Sequence, residues 1–522
     1  MYRLRFVKNQ KKESNPMKKL SLVLSIAIFS VATTPTQAKD LPNNTQANLQ
    51  VTRQYYAQLL AGTEPQLAEL NMLMTMLPKG GDIHHHYSGA IYAETYLDWV
   101  EQQGFCIYRE TDPVSLTNRQ EKFRIEVKPS SSAEPNKSCI KVDAVRKDNA
   151  FYRELLATWS DKDFENHTHQ QLAPDQHFFN TFGYFSPISK FSTNTGLKIL
   201  KRQAKAENQQ YLETLLKSAP VTDHPEFSAK LDSMPPDASA KDLHEAFGKF
   251  ADFLARDESA QKKIADYVQE LSNDVAGIDD AEFSLRLQSY VSRNSAPSKI
   301  FSGLFSAFSA SQNNPLIVGV NIVGPENGIV ALRDYTLHMQ MFGFLKQRFP
   351  KVHLSLHAGE LALGMVPPEH LRQHIRSAIN IAGAERIGHG VDITHEDQPD
   401  QLLADLKQSN VAIEINLSSN AFILGVQQQA HPVAVYLRHQ VPIVITSDDM
   451  GVSRNNLSNE YLLFTSRYKP NYDTLKKVVY NSIHYSFLSP ADKVSQMRQL
   501  DQRFVKFEAA VAKLAHTTPG KF

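Results

Sequence analysis

Short apolar runs alternate with longer stretches of helical periodicity through most of the chain. The runs fall at 82–86, 210–213, 283–291, 316–323, 353–357, 385–388, 411–417 and 442–446. Among them, 240–254, 261–271, 369–381, 401–408 and 433–438 place apolar residues at helical spacing. Strand alternating with helix predicts a parallel sheet. Polar residues gather at the C-terminal ends of several of these runs. An α/β fold closed as a (β/α)8 TIM barrel brings such ends to one mouth, whereas an open doubly wound sheet does not, so the barrel is the expectation, filling 77–510. Residues 39–76 read as an N-terminal helical segment, with apolar spacing through Leu59, Leu60, Leu67, Leu70 and Leu73. Residues 100–175, rich in Ser, Pro and Asn, read as a subdomain inserted after the first strand, with a small β element.

Composition narrows the class. The 522 residues suffice for one large barrel with insertions. A formal net charge of +1, without a basic stripe, gives no reason to expect a nucleic-acid partner. GxGxxG after a strand, Walker A and GxSxG are missing, which removes the dinucleotide, P-loop and serine-hydrolase readings. At the start, Met17-Lys18-Lys19, an apolar run over 20–32 and Thr36-Gln37-Ala38 read as a secretory signal over 1–38, cleaved after Ala38. The run is shorter than the roughly 20 residues that span a bilayer. The mature chain is therefore expected to be exported, periplasmic or extracellular, without a membrane anchor. In an oxidising compartment its two cysteines, Cys106 and Cys139, are expected to pair. In the chain-entropy account a loop of that size stabilises by about 3–4 kcal/mol.

Four polar clusters end apolar runs. His84 and His86 flank His85, so on a strand the outer two share a face and can grip one ion. His357-Ala358-Gly359-Glu360 carries a histidine to a strand end, then small residues, then a carboxylate. His389 sits between Gly388 and Gly390, which leave its ring open for proton transfer. Ser447-Asp448-Asp449 sets two carboxylates side by side, which is easier to sustain if one binds a cation. Singly, each has an ordinary reading as a strand-end histidine, a turn or a helix cap. Together, three histidines and an aspartate around one zinc ion leave room for a water whose pKa falls to about 7. A glutamate beside it can supply a proton.

The chain here resembles the adenosine deaminase family of amidohydrolase barrels. The residues that carry the resemblance are Pro78-Lys79 with His84, His86 and Gly89-Ala90; Gly324 and Glu326; His357 to Glu360; Arg386 to Gly390; Glu414, Asn416 and Ser418-Ser419-Asn420; and Ser447 to Asp449. They span roughly residues 76–500. Export and the two-cysteine insert are similar to the secreted growth-factor branch of that family, where the insert is a disulfide-bonded subdomain and helices before the barrel help form a dimer. The resemblance implies one zinc per chain on His84, His86, His357 and Asp448. It implies Glu360 as proton donor to purine N1, and His389 as the group that orients the water and shuttles its proton. Asp449 would bond N7, and the Gly324 amide would face N3. Hydrolytic deamination of adenosine, and of 2′-deoxyadenosine, to inosine and ammonia follows, with a purine nucleoside as the small-molecule partner.

Two positions depart from the family pattern. Ser88 stands where an aspartate usually binds the ribose 5′-hydroxyl, and Asn321 stands where many members have an aspartate. Phe178, Phe179, Phe182 and Tyr184 suit either a lid over the ligand or plain helix packing. Two other readings stay open. One keeps the chemistry but acts on adenine, AMP or a modified adenine nucleoside. The other is a secreted binding or signalling protein that uses the insert. Homodimer formation also stays open.

Overall fold

The structure is a computed structural model describing residues 43–111, 124–132, 138–162, 164, 172–235 and 238–517. The expected secretory signal over 1–38 lies outside these residues. Ten strands are described: β1 (Gly80–Asp82), β2 (Cys106–Glu110), β3 (Arg124–Lys128), β4 (Gln209–Ser218), β5 (Ser284–Ser292), β6 (Ile317–Val323), β7 (Ser355–Ala358), β8 (Arg386–His389), β9 (Ala412–Ile415) and β10 (Ile443–Ile445). Two parallel four-stranded sheets run β1-β4-β5-β6 and β10-β9-β8-β7. Bridges between Val320 and Leu354, and between His85 and Asp448, join their edges. Eight parallel strands thus ring a buried core, and the expected (β/α)8 barrel is present.

The strand interiors explain the closure. β6 and β9 are apolar almost throughout and buried on both faces, as parallel strands between barrel interior and outer helices must be. Helix Pro297–Ser311 is buried along nearly its whole length between strands and neighbouring helices. Helix Asn43–Leu59 lies against the C-terminal helix Pro490–Thr517, where the Thr52 hydroxyl donates to the Glu508 carbonyl over 3.3 Å.

Three elements differ from the sequence expectation. The first paired strand ends at Asp82 rather than at residue 86, because His84 to His86 turn across the barrel mouth and bond Asp448 and Leu215 instead. β4 extends through Ser218, although Glu213 and Thr214 interrupt its apolar pattern. Glu213 is tolerated there because Arg386 pairs with it over 2.7 Å. The helix expected over 369–381 is broken into Pro368–Leu371, His374–Ser377 and a wide turn at Ala378–Ala382. A distant carboxylate, Glu396, accepts from the Ile375 amide at 2.6 Å and caps the middle piece.

After β1 the chain forms the antiparallel pair β2–β3, and helices Val142–Lys147 and Asn149–Thr158 follow. Cys106 and Cys139 are joined by a disulfide, as expected. Among the described residues no helix is long and apolar enough to cross a membrane.

Candidate active site

The C-terminal ends of the barrel strands converge on one cavity of about 200 Å3. Its walls include His86, Ser88, Gly324, His357, Glu360, His389, Asp448 and Asp449. His84 is buried and packs its ring 4.5 Å from that of His357. His85 faces the other way, with its Nδ1 2.8 Å from the Thr214 hydroxyl.

One ligating atom from each of His84, His86, His357 and Asp448 lies within 4.8 Å of the other three. The hydrogen bonds around them decide whether a cation fits. His357 Nδ1 lies 2.9 Å from the Asn321 side-chain carbonyl, so its proton is on Nδ1 and a lone pair faces inward from Nε2. That Nε2 lies 3.1 Å from His86 Nε2. His84 gives its Nδ1 to Glu414 over 2.7 Å, and its buried Nε2 has no hydrogen-bond partner. Asp448 Oδ1 stands 3.3 Å from both His84 Nε2 and His86 Nε2. Inward lone pairs around a carboxylate are a cation's coordination shell, and the outward bonds to Asn321 and Glu414 are the partners that fix the rings.

Electrostatics agree with that fit. Burial holds His86 neutral, lowering its pKa to about 4. Burial, then the neighbouring histidines, push His357 well below its ordinary value. Burial opposes charge on His84 as well, yet Asp448 and Glu414 raise it to about 10. Two carboxylates thus draw one positive charge to this spot, and a divalent ion would supply it.

Two of the residues on this rim have left-handed backbone. His389 has φ +73° and Asp448 φ +57°, left-handed values that cost a non-glycine residue of the order of 1–3 kcal/mol. Asp449 enters the cavity because Gly89 has no side chain: a Cβ there would lie 1.6 Å from the Asp449 carboxylate.

The turn that carries Glu360 is held by the Glu326 carboxylate. The Gly359 and Glu360 amides donate to Glu326 at 3.1 and 2.9 Å. Burial, then the Asp448 and Glu326 carboxylates, raise the Glu360 pKa well above the usual range, which favours its acid form. Burial and then Asp448 do the same to Asp449. Glu326 moves the opposite way. Burial opposes its charge, but Arg293 and His374 lower it to about 2. Burial lowers His389 to about 3, and its Nε2 stands 3.7 Å from Glu360 and 3.8 Å from Asp448.

Phe178, Phe179 and Phe182 line the cavity together with Tyr290. Tyr184 does not line it and is buried elsewhere, beside the Arg124 guanidinium. Sequence reasoning assigned no part to the buried layer beneath the site. Arg386 bonds Glu414 at 2.6 Å and Glu213 at 2.7 Å, and Arg293 bonds the His357 carbonyl at 2.6 Å. Charged residues inside otherwise apolar strand runs are the signal that could have pointed to it.

The comparisons with known proteins meet this geometry. Residues 264–503 match the adenosine deaminase family model. His84 and His86 lie before the matched stretch, and the fold brings them to the His357 and Asp448 that lie within it. The chain is 32% identical over 177 residues to the adenosine deaminase of Clostridium kluyveri, covering 34% of this chain and 46% of that one. It is 29% identical over 259 residues to that of Yersinia pseudotuberculosis serotype IB, covering 49% and 71%. The clostridial relatives are thus matched over less than half of their length. Among solved structures, the apo N6-methyl-AMP deaminase of Arabidopsis thaliana has a TM-score of 0.51 at 15% identity, over 83% of this chain and 98% of that one. The arabidopsis structure of ADAL complexed with IMP reaches 0.52 at 15% identity, over 82% and 97%. At that identity the likeness establishes the shared barrel fold.

Proposed function

We propose that the chain hydrolyses adenosine, and 2′-deoxyadenosine, to the inosine nucleoside and ammonia. The observation that carries this reading is the placement of a buried carboxyl group, Glu360, in the same cavity as the cation-binding set. A zinc ion on His84, His86, His357 and Asp448, one per chain, would act as a Lewis acid that lowers the pKa of a water toward about 7. Glu360 gives its proton to N1, which makes C6 more open to attack. Protonated Asp449 donates to N7, an acceptor. The Gly324 amide faces N3. His389 orients the attacking oxygen, and the three phenylalanines keep bulk water out. The water oxygen bonds to C6, one of its protons passes to the departing nitrogen and the other restores Glu360, the C6–N bond breaks, and ammonia leaves.

The sugar end favours a neutral nucleoside over a nucleotide. Among the described residues, neither Lys nor Arg lines the cavity, and Ser88 and Tyr290 offer uncharged hydroxyls. A phosphate ordinarily calls for a cationic partner. Adenine, AMP and modified adenine compounds form the second reading, since Ser88 lacks the charge expected at the sugar. The experiment is the ultraviolet change of the purified chain on adenosine, with deoxyadenosine, adenine and AMP in parallel. Turnover of adenosine well above AMP supports the proposal. No turnover of any purine by zinc-loaded protein overturns it.

Export of the mature chain after cleavage at Ala38 belongs to the same reading, and the disulfide in the insert supports it. N-terminal sequencing of the secreted or periplasmic protein tests it. Leu67, Met72 and Met76 leave apolar side chains exposed on helix Leu67–Met76, a surface that suits a homodimer. Light scattering checks that assembly.

A further inference from the structure

His389 is tied to two residues that the proposed chemistry does not use. Its Nδ1 lies 2.8 Å from the Asn420 carboxamide nitrogen. The Asn420 carbonyl oxygen lies 3.0 Å from His431 Nε2. His431 Nδ1 in turn accepts from the Val433 backbone N–H at 3.3 Å. All three side chains are buried.

The direction of this chain is set at its far end. Val433 opens helix Val433–His439, and its amide is one of the donors that a helix start leaves without an intrahelical partner. A backbone N–H can only donate, so His431 Nδ1 must present a lone pair. Burial keeps His431 neutral, with its pKa lowered to about 3. Its single proton is then on Nε2 and goes to the Asn420 carbonyl. That fixes the Asn420 amide, whose NH2 group donates to His389 Nδ1. A second carboxamide NH2, that of Asn416, faces the same Nδ1 from 3.5 Å. The reverse polarity would set a His431 N–H against the Val433 N–H, two donors facing each other in a buried site. Such a clash leaves both without partners.

We infer that His431 and Asn420 are positioning residues that lock His389 in the tautomer protonated at Nε2. In its resting form His389 therefore offers a hydrogen bond, not a lone pair, to the cavity. The acceptors Glu360 and Asp448 lie before that Nε2 at 3.7 and 3.8 Å. This sharpens the role expected from the sequence: before any step begins, the ring orients oxygen by donating to it, and it does not stand ready as the first proton acceptor. The inference rests on the site proposed above, although its readout is separate from turnover.

The test is 15N NMR of the full chain, labelled at histidine and loaded with zinc, with the His389 ring assigned by its loss in His389→Gln. The expected wild-type signature is a protonated-type shift at Nε2 and a pyridine-type shift at Nδ1. Asn420→Asp replaces the amide donor with acceptors on both sides and is expected to move the proton to Nδ1. In a protease triad the wrong imidazole tautomer costs about 10⁴ in kcat; here a fall in kcat of about 10²-fold or more is expected, with KM and zinc content held. His431→Phe keeps the bulk, frees the amide and gives a mixture of tautomers. His431→Gln returns an N–H near the Nε2 position and restores the wild-type signature. A wild-type ring protonated at Nδ1 overturns the inference, as does an unchanged His389 tautomer in Asn420→Asp or His431→Phe. Should Asn420→Asp not fold, the wild-type spectrum and His431→Phe still decide it. Absence of deamination by a chain with the expected tautomer would count against the proposed activity and leave this inference standing.

Discussion

The two ends of the cavity are built differently. At the cation end nearly every side chain is fixed from behind: His84 by Glu414, His357 by Asn321, His389 by Asn420, and the Glu360 turn by Glu326. The rest of the wall is Phe178, Phe179, Phe182, Tyr290 and Ser88, mostly apolar surface with few fixed polar contacts among the described residues. The difference teaches where precision is required. Groups that must meet reacting atoms within a fraction of an ångström need a buried supporting layer, and burying charge there costs stability unless each group is paired. A wall that only excludes water and sorts ligands by shape can rely on packing.

The sharpest way to break this contrast is at the ligand set. His357→Ala removes one donor and is expected to abolish both bound zinc and turnover, measured by metal analysis and ultraviolet assay. Glu360→Gln comes next. It should keep zinc and lose about 10²–10⁴-fold in kcat, the usual worth of a positioned proton donor. Glu414→Gln tests the supporting layer, with zinc affinity falling by about 10–100-fold in competition with a chelator.

Glu326 sets a pH dependence of stability. Its folded pKa of about 2 lies below its ordinary 4.5, so the folded chain binds fewer protons there than the unfolded one. The stabilisation is complete above pH 4.5 and disappears as pH falls through 2. Melting temperature should drop over that window, and Glu326→Gln should flatten the drop. An equal slope in both proteins would remove Glu326 from the account.

Ser88→Ala carries the smallest expected effect. One neutral hydrogen bond contributes about 0.5–1.5 kcal/mol, so KM for adenosine should rise by less than about 10-fold with kcat little changed. A loss as large as that of Glu360→Gln would erase the distinction between the two ends.

Much of the cation end was legible in the sequence because its residues close apolar runs. His84, His86, His357, Glu360, His389, Asp448 and Asp449 each stand at or just past a strand end, and a barrel has one place for such ends to meet. Arg386 and Glu414 stood out only as parts of the family-like motifs, and the part they play in the supporting layer was not legible. Glu213, Arg386 and Glu414 lie 173 and 28 residues apart along the chain, and only the closed barrel makes them neighbours. The broken helix after Pro368 went unseen for the same reason, since its cap, Glu396, comes from a later loop. The aromatic wall was left undecided because Phe178, Phe179 and Phe182 have the spacing of ordinary helix packing, and only the cavity separates them from Tyr184.

The central claim is that the His84, His86, His357 and Asp448 cluster holds the ion on which purine deamination depends. The most direct measurement strips the purified chain with a chelator and titrates zinc back while following adenosine turnover. The account predicts no turnover without metal and a linear rise that stops at one zinc per chain. Full turnover by metal-free protein, or a rise that His357→Ala shares, would contradict it.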